Sequence, residues 1–186
     1  MEEVKNETKQ LKTQVFNVII FDKSGSMESI RKAAVDGFNE TLAGIKKAQE
    51  KYAESQEHYV SLLTFCDCEK KSDGYENASK EYTGIAVKKL MEELKSEGWT
   101  FTYMGANQDS VEVAFNLSIR NSRNFEATSG GTTQVMGKDT STRMNYFGRL
   151  HAFHSGSKGE SMSSEERNAC YSAMANEAFD EEEGKA

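Results

Sequence analysis

At 186 residues the chain has the size of one ordinary domain, enough to bury roughly 70% of the surface its unfolded form exposes. Its hydrophobic share, 37%, is low, and its formal charge of −7 comes from 30 acidic against 23 basic residues. That balance argues against a surface built to neutralise phosphates, so a nucleic-acid partner is not expected. No apolar stretch approaches the roughly 20 residues of a membrane-spanning helix, and the first fourteen residues are polar where a signal peptide would carry its apolar core. A cytoplasmic location without membrane attachment is the expectation. Cys66, Cys68 and Cys170 make an odd count without a framework spacing, which fits a reducing compartment.

In chain order, a polar extension over residues 1–14 leads into Val-Phe-Asn-Val-Ile-Ile-Phe at 15–21. A nearly continuous apolar run of this kind predicts a parallel strand covered on both faces. Ile30, Ala34, Phe38, Leu42, Ile45 and Tyr52 then recur at helical spacing and predict a long helix with one apolar stripe. Residues 59–65 read as a second strand and 99–104 as a third, with a weaker candidate around Phe125. Between the second and third strands, Val87, Leu90, Met91 and Leu94 share the face of a helix over 84–97 that Gly98 terminates. A short helix over 111–117 can begin at Asp109, and Ser163 with Glu166 gives the capping-box spacing of a terminal helix over 164–179. Thr83-Gly84 and Ser129–Thr133 read as helix-start and turn chemistry. Residues 151–162 read as a loop, and the acidic run Asp180–Glu183 as a solvated tail. Strands alternating with helices of ten or more residues predict an α/β domain over 15–150 with helices on both faces of a mostly parallel sheet, followed by a loop, helix and acidic tail over 151–186.

In such a sheet, ligands bind beyond the carboxyl ends of the strands. There stands Asp22-Lys23-Ser24-Gly25-Ser26-Met27. The Asp-x-Ser-x-Ser spacing lets one carboxylate and two hydroxyls point to the same side of a partly extended loop, and Gly25 eases the turn into the helix. An all-oxygen set of this kind suits a hard dication such as Mg²⁺, with Mn²⁺ or Ca²⁺ as alternatives. With one direct carboxylate the ion keeps net positive charge and can attract an acid from another molecule. The bland alternative is a turn, since Ser and Gly commonly follow a buried strand.

Val18-Ile19-Ile20-Phe21-Asp22-Lys23-Ser24-Gly25-Ser26-Met27 resembles the strand and metal-ion-dependent adhesion site of the von Willebrand factor type A family. Ser72-Asp73-Gly74-Tyr75 is similar to the later Asp-Gly motif of bacterial intracellular members, and the likeness runs over roughly residues 15–135. The resemblance implies a Rossmann-like fold, a metal held by Asp22, Ser24 and Ser26 with Asp73 as a further carboxylate, and recruitment of a protein partner through its acidic side chain, without catalysis. The sequence departs from the family in one place. Only seven residues separate Phe65 from Asp73, where the family has an edge strand, a Thr-bearing loop, a helix and a central strand. Fewer strands than usual are therefore expected. Either the Trp99 strand closes against the first one in a sheet of about four strands, or an exposed edge invites pairing into a homodimer or domain swap.

Two alternatives stand beside this reading. A degenerate, metal-free scaffold would keep the fold and bind through its edge or terminal helix. A phosphoryl-transfer enzyme of the haloacid dehalogenase type also places an Asp after its first strand, but it wants a second Asp where Ser24 stands. His58, His151 and His154 are expected in surface or capping roles, although His151 and His154 can share a helix face, and Trp99, Phe101 and Tyr103 are expected to pack against helices.

Overall fold

A computed structural model describes residues 12–22, 25–65, 83–106, 109–156 and 162–185. Strand β1 (Thr13–Asp22) passes through a 3-10 turn (Gly25–Ile30) into helix α1 (Arg31–Lys51), which returns to strand β2 (Gln56–Phe65). Helix α2 (Gly84–Ser96), strand β3 (Thr102–Ala106), helix α3 (Ser110–Asn116), strand β4 (Asn121–Phe125), helix α4 (Ser129–Ser155) and helix α5 (Ser164–Glu183) follow. The architecture is mixed α/β, with parallel strand pairs, as alternating elements require.

The β1–β2 pair runs in register from Thr13 opposite Gln56 to Asp22 opposite Phe65. The β3–β4 pair runs from Thr102 opposite Asn121 to Ala106 opposite Phe125. Among the described residues these are two separate two-stranded sheets. Of the two arrangements the sequence left open, insertion of the Trp99 segment beside the first strand is not the one found among the described residues, because β3 pairs with β4. Regular pairing starts only at Thr102, and the rings of Trp99 and Phe101 stack on each other just before it, with centroids 6.5 Å apart.

Alternation along β1 turns Val15, Asn17 and Ile19 into the interior,. Val15 joins Ile45 and Ala48 of α1 and Phe147 and Leu150 of α4 in the principal core, with Tyr171 and Met174 of α5 packed against it. The other face of β1, with Phe16 and Ile20, is exposed. Coverage on both faces is therefore corrected: an apolar run fixes a strand, but helices α1 and α4 pack on one side of it only.

Helix α1 also turns differently from its apolar stripe. Its buried line is Ala33, Gly37, Thr41, Ile45 and Ala48, while Ala34, Phe38 and Leu42 are half-buried. Close approach of α4 explains the shift. A Cβ at Gly37 would stand 2.7 Å from the Cβ of Met136, and the Thr41 hydroxyl donates to the Gly37 carbonyl at 3.0 Å while sharing a hydrogen bond with Thr140 at 2.9 Å. Small residues win this line because two helix backbones meet there. Helix α4 buries Thr132, Asp139 and Thr142 along with Val135, Met136, Phe147 and Leu150, so it carries no clean apolar stripe.

Helix ends follow their local chemistry. Thr83 accepts from the Ala86 amide, Asp109 from Val111 and Glu112, and Thr128 from Gly131. Both hydrogen bonds of the Ser163–Glu166 capping box are present, and Gly98, with φ of +94°, follows the end of α2,. The anticipated loop over 151–162 is shortened, because α4 continues to Ser155. The anticipated acidic tail is corrected as well. Asp180 to Glu183 lie within α5, where Asp180 meets Arg120 at 2.7 Å and Glu181 pairs with Arg149. Among the described residues no helix is long and apolar enough to cross a membrane.

Candidate functional site

Asp22 is the last residue of β1, half-buried, at the carboxyl edge of the β1–β2 pair. It lies just beyond Phe21, whose ring packs edge-on against Phe38 of α1 with centroids 5.8 Å apart. That contact anchors the strand end to the helix that the chain enters next. Ser26 lies in the 3-10 turn between them. A parallel strand ending in a carboxylate, with a helix next in the chain, suits oxygen ligation of a hard cation. Of the other sequence-predicted ligands, Ser24 and Asp73 lie outside the described residues, as does the Ser26 side chain. Cys66 and Cys68 also lie outside them, and Cys170 is a half-buried free thiol in α5. Among the described residues no group of three or more His, Cys, Asp or Glu side chains is assembled for a metal.

At the carboxyl edge of the β3–β4 pair the polar groups serve the backbone. The Asp109 carboxylate accepts two amides of α3 at 3.1 Å each. Asn124 accepts from the Ser110 amide at 3.0 Å, and the buried Ser110 hydroxyl has no hydrogen-bond partner.

The histidines are half-buried rather than on the surface. His151 Nδ1 lies 2.8 Å from the Ser55 hydroxyl, and its ring stacks on Tyr52 with centroids 4.8 Å apart. Serine and imidazole at that distance have the reach of a nucleophile and its base. The amides of Ser55 and Gln56 both donate to the Tyr52 carbonyl at 2.9 Å, so neither is free to hold an oxyanion,. The pair therefore fastens the α1–β2 turn to α4. His154 lies 3.1 Å from the Tyr171 hydroxyl and joins α4 to α5. Burial lowers its pKa, and Arg167 adds to the effect. Burial also lowers that of His58, which lies edge-on to Phe147 at 4.5 Å.

Sequence reasoning missed a buried polar network. Arg123 of β4 donates through Nε to Glu183 at 2.6 Å and through Nη2 to Thr142 at 2.8 Å, and its guanidinium sits 4.4 Å from the centre of the Phe179 ring. Its Nη1 is buried without a hydrogen bond, 3.9 Å from the carboxylate of Asp139. Asp139 pairs with Arg143 at 2.7 Å, and Arg143 reaches the buried Asn17 at 3.4 Å. The network ties β1, β4, α4 and α5 together across two sheets that share no strand pairing among the described residues. One signal was visible in the sequence, the i,i+4 spacing of Asp139 and Arg143. Arg123, in a segment whose one apolar residue is Phe125, gave none.

No family model, curated protein or solved structure matches the chain.

Proposed function

We propose that this chain is a divalent-cation-dependent protein-interaction module of von Willebrand factor type A-like, Rossmann-like design. Asp22, Ser24 and Ser26 hold Mg²⁺, with Mn²⁺ or Ca²⁺ able to substitute and Asp73 as an additional carboxylate. The ion supplies a Lewis-acidic position for an acidic side chain of a partner protein. The observation that carries the reading is the placement of Asp22 as the last residue of a parallel strand, with a 3-10 turn from Gly25 and then helix α1 as the next described elements. The Asp-x-Ser-x-Ser pattern begins at that residue. One carboxylate with hydroxyl and water ligands leaves the ion net positive, which favours capture of an anion over bond cleavage.

The test is a thermal melt with and without Mg²⁺, paired with calorimetric titration of the ion. A cation that binds only the folded chain raises the melting temperature, by about 2.7 kcal/mol of stabilisation at a hundred times its dissociation constant. Asp22→Ala is expected to abolish both the shift and the heat while leaving the melt in EDTA unchanged. Absence of Mg²⁺ or Mn²⁺ uptake by folded protein refutes the proposal.

A further inference from the structure

The β1–β2 sheet presents an outer face on which Phe16, Ile20, Tyr59 and Leu63 are each 39–60% exposed. They form two cross-strand pairs, since Phe16 is opposite Tyr59 and Ile20 opposite Leu63 in the register. The Phe16 and Tyr59 rings stack with centroids 5.0 Å apart and planes within 16°, so the two rings face each other across the strands. Between the two pairs lie Val18 and Ser61, and Gln14 and Glu57 close one end. Parallel strands are found almost always with both faces covered, and a two-stranded sheet alone is marginally stable in water. An apolar patch of this kind marks an interaction surface.

We infer that this face packs against the same face of a second copy of the chain. Three observations select that occupant. Its strand charges, Glu57 and Asp22, stand at opposite ends of the face, so the apolar centre between them is complementary to itself about a two-fold axis and needs no oppositely charged partner. The stacked Phe16–Tyr59 pair offers its ring edges to edge-to-face contact with its own symmetry mate. The area is also sufficient. Large side chains at about half exposure contribute roughly 100 Å² each, and with the flanking positions of both rows the face offers about 700 Å² per protomer, near the ~800 Å² per partner of a standard interface. Two such faces stack about 10 Å apart, as the layers of a sandwich do. The contact is centred on Phe16, Val18, Ile20, Tyr59 and Leu63 and stops short of Asp22, which ends the same side of β1, so it does not require the cation.

Sedimentation equilibrium of the full chain across micromolar concentrations, in Mg²⁺ and separately in EDTA, reads this directly. A reversible dimer is expected in both buffers. The double variant Ile20→Lys with Leu63→Lys is expected to weaken dimerisation at least about tenfold, because it drives ammonium groups into a desolvated apolar contact. Both side chains are exposed in the protomer, so its far-ultraviolet circular dichroism is expected to match the parent. A control, Val111→Lys with Phe115→Lys on the exposed face of α3, is expected to dimerise like the parent. If the sheet variant fails to fold, hydrogen exchange of the unaltered chain decides, with β1 and β2 amides expected to gain protection as concentration rises. The inference is overturned by a parent that stays monomeric, which would assign the face to a different protein or to another segment of the chain. It is equally overturned by a dimer that forms only in Mg²⁺, by a dimer that the α3 variant dissolves and the sheet variant does not, or by β1 and β2 amides whose protection ignores concentration.

Discussion

Replacing Arg123 with Ala tests whether the buried network holds the two strand pairs together. The Arg123 side chain is 3% exposed and that of Asp139 5%, whereas Glu183 is 39% exposed. The shorter contact is the one to Glu183, at 2.6 Å against 3.9 Å for Asp139, but water screens Glu183 and leaves its pairing worth about 1 kcal/mol or less. Asp139 is different, since it is buried and loses one of its two cations; Arg143 stays at 2.7 Å, so this loss is part of the about 3–5 kcal/mol that breaking a buried pair outright costs. Arg123→Ala also takes the guanidinium off the Phe179 ring and strands the Thr142 hydroxyl. We therefore expect Arg123→Ala to cost about 3–5 kcal/mol and Glu183→Gln about 1 kcal/mol, measured by urea denaturation. For a chain of this size the larger figure lowers the melting temperature by roughly 6–20 °C. If Arg123→Ala costs under about 1 kcal/mol, or Glu183→Gln costs as much as Arg123→Ala, then burial does not govern the network and the reasoning fails.

Three further outcomes follow from the geometry. His58 and His154 have folded pKa values below 6.5, so the unfolded chain takes up their protons first; their contribution to stability is full above pH 6.5 and is lost as pH falls through their lower folded values. The urea midpoint is expected to drop from pH 7.5 to about pH 5.5, and an unchanged midpoint contradicts this; Glu166 and Glu181, held below 4.5 by their hydrogen-bond partners, respond only in more acid solution. Gly37→Ala forces a methyl against Met136 and is expected to cost about 1–3 kcal/mol by chemical denaturation, in contrast to the gain usual for Gly→Ala in an open helix. Ser163→Ala removes the capping box of α5 and is expected to cost about 1 kcal/mol, with faster amide exchange confined to the first turn of that helix.

What the sequence by itself determined was local. The β-branched and aromatic run before Asp22 made a strand, Thr83, Asp109 and Ser163 capped the helices they precede, and Gly98 followed the end of α2 with a positive φ, because these outcomes depend on groups within a few residues of one another. Asp22 at the end of the first strand was legible for the same reason. Which strand pairs with which, and which face of β1 a helix covers, depend on contacts between distant segments, and only the tertiary structure decided them. The shift of the α1 stripe onto Gly37 and Thr41 came from a neighbouring backbone almost a hundred residues away. The acidic run in α5 became a set of ion pairs for the same kind of reason, since charge in a sequence is silent about its partners until packing brings Arg120, Arg123 and Arg149 to it.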